Sequence, residues 1–135
     1  MGEPASEVVI ADAHRPAVVR LGFDVHCIRV WLEDPPQIRV SSTVYAEFAR
    51  ELAAFFRDLA GQPPAGAEER RVSSSDDELC IQAWADRAGL VGLGLSLASD
   101  MWDPNWVVRV NLRVAVAGLP EVAAAIERLA VLAEE

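Results

Sequence analysis

A chain of 135 residues, 52% of them hydrophobic and with a mean hydropathy of +0.17, can fill one core of ordinary size without disulfides or metals. It holds no apolar run near the ~20 residues of a membrane helix, and its acidic start, Met1 to Glu7, lacks the apolar stretch of a secretory signal. A net charge of −9 argues against broad binding to nucleic acid or anionic lipid. All 12 basic residues are Arg, which excludes Schiff-base lysine chemistry and a phosphate-loop lysine. The expectation is one cytoplasmic α+β domain over residues 1–135.

In chain order, Val8 to Ile10 reads as a short strand, Asp12-Ala13-His14-Arg15-Pro16 as a turn and Ala17 to Leu21 as a second strand, broken at Gly22-Phe23-Asp24. Val25 to Glu33 alternates. His26, Ile28, Val30 and Leu32 share one face, and Val25, Cys27, Arg29, Trp31 and Glu33 share the other. Asp34-Pro35-Pro36 ends that strand, because proline cannot donate to a ladder, and Gln37 to Val40 returns as a short strand. A helix follows, with Ser42 or Thr43 as its cap. Tyr45, Phe48, Leu52, Phe55, Phe56 and Leu59 form its apolar stripe, and Gly61 stops it before Pro63-Pro64.

Glu68 to Val72 reads as extended and Ser73 to Glu78 as a polar turn. Leu79 to Asp86 and Leu90 to Leu97 make a hairpin around Arg87-Ala88-Gly89. After a loop from Ser99 to Asn105, Trp106 to Ala117 alternates most clearly: Trp106, Val108, Val110, Leu112, Val114 and Val116 against Val107, Arg109, Asn111, Arg113 and Ala115. Gly118 turns the chain into a last helix, with Pro120 and Glu121 suited to its first turn and Val122, Ile126, Leu129 and Ala133 as its inner stripe. The lack of regular strand–helix alternation argues against a parallel doubly wound sheet. The expected fold is α+β, a mainly antiparallel sheet with both helices packed on one face.

Catalytic motifs are not found. Gly89, Gly92 and Gly94 have the wrong order for a dinucleotide loop and sit in a hairpin. The two Cys, Cys27 and Cys80, and the two His, His14 and His26, match no zinc spacing, and the cysteines read as separate thiols. Asp100, Asp103 and Asn105 could offer oxygen to a cation, but their spacing fits no calcium loop. No enzyme and no cofactor is expected. An enzymatic role would need His26 or the loop at Asp100 and Asp103 to line a cleft.

The tryptophans and arginines are more informative. On the parity opposite the helices fall Arg29, Trp31, Gln82, Trp84, Arg109, Asn111 and Arg113. Trp and Arg are enriched at binding hot spots, so this set is the candidate interface. The bland alternative is a face covered by the N-terminal strands or a cation–π patch.

Four passages carry a family resemblance: Glu51 to Ala60, Ser75 to Leu79, Asp86 to Val91 with the alternation that follows, and Trp106 leading into the last strand and helix. From Phe48 onward the chain resembles the actinobacterial domain of unknown function 6228, and more distantly immunity proteins of the WapI type. The resemblance implies no catalytic residues. The more distant one implies a role in neutralising a toxin through protein contacts. The reading that follows is a non-enzymatic protein–protein interaction domain, with a basic toxin or a second copy of the chain as partner. The alternative is a small-anion binding domain, with a pocket between the sheet and the Phe55-Phe56 helix and with Arg109 or Arg113 holding the anion.

Overall fold

A computed structural model describes residues 7–24, 27–35, 38–74, 78–87, 89–99 and 106–133. The chain opens with β1 (Glu7–Ala11), β2 (Val18–Asp24), β3 (Cys27–Asp34) and β4 (Ile38–Tyr45). Helix α1 (Phe48–Gly61) follows, then β5 (Glu69–Ser73), β6 (Leu79–Ala85), β7 (Leu90–Ala98) and β8 (Val107–Ala115). A 3-10 turn over Val116–Gly118 leads into α2 (Leu119–Ala133). The α+β class and the antiparallel pairing are as expected. The eight strands form two four-stranded sheets, β1-β2-β3-β4 and β5-β6-β7-β8, where the alternation alone suggested a single layer. Each sheet is a meander whose neighbours are also consecutive in sequence. The α1 crossover carries the chain from the edge of one sheet to the edge of the other.

The alternation sorts side chains as expected within each strand. Ile28, Val30 and Leu32 of β3 are buried, as are Val110, Leu112 and Val114 of β8. The inward rows of both sheets join α1 and α2 in one continuous core, with Phe56, Leu59, Leu93, Leu112 and Ile126 wholly buried. Phe55 and Phe56 meet edge to face, with ring centroids 5.5 Å apart. Burying such side chains contributes roughly 1.5–3 kcal/mol each. Helix α1 stops at Gly61 as read, and the Gln62 N–H closes its last turn on the Asp58 carbonyl. Across the helix pair, Arg57 and Glu127 make an exposed ion pair.

Three local expectations change. Ser42 and Thr43 do not cap α1; they lie in β4, paired with Val30 and Arg29. The strand extends because Ser42 and Val44 fall on its buried parity, and α1 then starts with Glu47 at its cap position and no side-chain cap bond. Tyr45, at the end of β4, is exposed and leaves the helical stripe. Gly22 does not break β2. It pairs with Arg29, and a Cβ there would sit 3.3 Å from the Trp31 ring, so glycine makes room for the indole lying across the strand.

Cys27 and Cys80 stand on different sheets, are half-buried and form no disulfide. His26, Trp102 and the loop bearing Asp100, Asp103 and Asn105 lie outside the described residues. No helix is long and apolar enough to cross a membrane, and among the described residues no group of His, Cys, Asp and Glu is placed to hold a metal.

Candidate functional site

The seven candidate residues divide between the two sheets. Arg29 and Trp31 are half-buried on the outer face of β3, in the first sheet. Gln82, Trp84, Arg109, Asn111 and Arg113 come together on the outer face of the second sheet, across β6, β7 and β8. They therefore do not share one sheet. Period-two patterning assigns each residue to a side of its own strand but does not say which strands are neighbours.

On the second sheet the register sets out the face in rows. One row runs Glu69, Trp84, Gly92, Arg113, and the next runs Arg71, Gln82, Gly94, Asn111. The two glycines of β7 are the floor. A Cβ at Gly92 would overlap the Trp84 indole, and one at Gly94 would overlap the Arg109 guanidinium. Their lack of a side chain lets the Trp84 ring and the Arg109 head lie close against β7. Stretched over Gly94, Arg109 donates through Nη2 to Gln82 Oε1 at 3.0 Å. Arg113 Nε lies 3.3 Å from Asp86 Oδ2. That carboxylate oxygen is buried and has no hydrogen bond, so its charge is met by the ion pair alone.

The outer edge of β8 is clasped by the turn between β1 and β2. Asp12 Oδ1 accepts from the Arg113 backbone N–H at 2.6 Å, and the Ala13 N–H donates to the Arg113 carbonyl at 2.7 Å. Asp12 Oδ2 accepts from the N–H groups of His14 and Arg15 at 2.8 and 2.9 Å. Arg15 donates to the Asn111 carbonyl and reaches Asp34 at 3.4 Å. Partial burial of the Asp12 carboxyl opposes its ionisation. The three backbone N–H donors, helped by the Arg15 charge, outweigh that and hold its pKa below the ordinary value. A sheet edge open to further pairing is thus covered at Asn111 and Arg113.

Between this turn and the tryptophan plate lies an open cleft of about 380 Å³. Asp12, His14, Arg15, Trp84, Asp86 and Arg113 are among its lining residues. The pocket expected between the sheet and α1 is not where this cleft lies: Phe55 and Phe56 fill that space as core, and the cleft opens on the outer face. Sequence reasoning missed Asp12, Asp86 and Arg71 as parts of this surface. The parity of Glu69, Arg71 and Ser73 in β5 is the signal that could have placed Arg71. The clasp has no local signal, since Asp12 and Arg113 are 101 residues apart in sequence.

Comparison with known proteins bears on kinship. No curated protein matches the chain. A family model described as a family of unknown function matches residues 10–131. That span takes in β2 to β8, all of α1 and most of α2, and the chain belongs to the DUF6228 family.

Proposed function

We propose that this chain is a non-enzymatic protein-interaction domain that engages its partner through the outer face of the second sheet. The observation that carries the reading is the glycine floor of β7, which leaves room for half-buried Trp84 and exposed Arg109 to lie against it on the outer face rather than in the core. Rigid aromatic and guanidinium groups laid out in this way lose little entropy on contact and are hot-spot residues. An immunity-type role, with a toxin as the partner, is the biological form of this reading that the more distant likeness suggests. The net charge of −9 would speed encounter with a basic partner at long range, while the face itself sets the contact chemistry.

A photo-crosslinking residue at Gln82 or Asn111, in the native host, tests the proposal. The expected result is one stoichiometric protein product from these positions and none from the exposed Glu51 on α1. A strictly monomeric chain with no crosslinked protein from either position would refute it.

A second reading, a small-anion site, draws on the cleft of about 380 Å³ and the arginines at its wall. A bound anion raises the melting temperature by mass action. A shift with phosphate that disappears in Arg113→Gln would favour this reading over a protein partner.

A further inference from the structure

The outer face of the second sheet carries Arg71, Arg109 and Arg113 beside Glu69 and Asp86, a small basic excess on an acidic chain. Acids outnumber bases by 21 to 12, and Arg15, Arg20, Arg39, Arg57, Arg70 and Arg113 all lie beside carboxylates. Two arginines of this face do not. Arg71 is exposed and makes no ion pair among the described residues. Arg109 is met by the neutral amide of Gln82. These two flank one residue: Arg71 is the cross-strand partner of Gln82, and the guanidinium of Arg109 reaches Gln82 across Gly94. Trp84 follows Gln82 on the same side of β6, about 7 Å along the strand. Cationic forks thus bracket a neutral amide, with an indole one strand repeat away.

We propose that this face binds an extended, carboxylate-bearing segment of a protein partner. One acidic side chain is held between Arg71 and Arg109, and a planar or apolar side chain two positions away in the segment lies on Trp84. The choice of occupant rests on charge complementarity. Two guanidinium groups without a carboxylate, on a chain with an excess of carboxylates, lack the group that they bind best and bidentately. The spacing matches as well, because side chains two residues apart in an extended segment fall on one side at the same repeat as Gln82 and Trp84. The proposal rests on the interaction reading above and adds the chemistry of the contact.

The test uses the full chain, labelled with nitrogen-15 and titrated with a blocked pentapeptide carrying glutamate and tyrosine two positions apart. Controls are the same peptide with glutamine for glutamate, a lysine counterpart, and inorganic phosphate. The acidic peptide is expected to shift the amide resonances of Gln82, Gly94 and Asn111 at millimolar concentration. The R71Q and R109Q variants, both at exposed positions, should each weaken binding roughly tenfold, as loss of a charge-assisted contact does.

Equal shifts from the glutamine or lysine peptide would overturn the proposal, as would shifts elsewhere or none. Equal shifts from phosphate would overturn it in favour of a bare anion site. Self-association lost in R109Q would overturn it in favour of a second copy as occupant. Should a crosslinked partner be weakened by W84A and untouched by R71Q and R109Q, the carboxylate contact is refuted while the interaction reading stands.

Discussion

Replacing Asp12 by alanine removes one side chain from the turn but three hydrogen bonds, one of which ties the first hairpin to the edge strand of the second sheet. Hydrogen bonds to a charged acceptor are worth roughly 1.5–3 kcal/mol each when their loss leaves a buried donor unpaired. Here the freed His14 and Arg15 N–H groups lie in an exposed turn and pass to water, so their loss is discounted for solvent. The Arg113 N–H also belongs to an exposed residue, but its bond joins the two sheets, so its loss loosens the seam as well, and the total comes to about 2 kcal/mol. With an unfolding entropy of about 0.28 kcal/mol/K for a chain of this length, the melting temperature should fall by about 7 °C.

The effect also has a pH signature. The folded pKa of Asp12 is lowered, so its stabilisation is fully present above the unfolded aspartate value of about 3.9 and fades as pH falls through the folded value. Thermal melts followed by circular dichroism at pH 7 and pH 3 check both parts. The gap between wild type and Asp12→Asn should narrow at the lower pH. A gap that widens on acidification, or a loss under 0.5 kcal/mol for Asp12→Ala at neutral pH, would show that the clasp contributes nothing to stability.

Other outcomes follow from the packing. Gly92→Val places a side chain where the Trp84 indole lies, so the ring must leave its bed. The cost should be roughly 1–3 kcal/mol, and one indole N–H resonance should move in nitrogen-15 spectra; an unmoved indole set would contradict the geometry. Phe56→Ala empties a wholly buried site and should lower urea-unfolding stability by about 3–5 kcal/mol, with a loss under 1 kcal/mol being incompatible with its position. Glu127→Gln removes the ion pair between helices, but both partners are well exposed, so stability should change by less than about 1 kcal/mol and the change should vanish in high salt.

Each of these predictions draws on a different depth of the structure, and they differ in how far the amino-acid order anticipates them. The burial of Phe56 follows from its helical spacing with Leu52 and Leu59. The inward and outward sets of Trp106 to Ala117 follow from period two, with Val110, Leu112 and Val114 in the core and Arg109, Asn111 and Arg113 outside. The hairpin of β6 and β7 and the stop of α1 at Gly61 were equally legible, because turns, caps and amphipathic stripes are set by residues a few positions apart.

The boundaries at Ser42 and Gly22 were misread because tertiary context overrode local preference. A serine that reads as a cap continues a strand once its neighbour Val44 has a core to enter, and a glycine that reads as a breaker is the place where Trp31 crosses the sheet.

What the chain by itself determined is the identity of its faces: which side chains are apolar, which carry Trp and Arg, and that the sheets are antiparallel with two amphipathic helices. Only the tertiary structure decided that there are two sheets, that Arg29 and Trp31 stand apart from the other five candidates, that Arg71 joins those five, and that Asp12 closes the edge of β8. These are pairings between segments far apart in sequence. Their geometry arises when separate strands and helices share one core, and no short-range period encodes it.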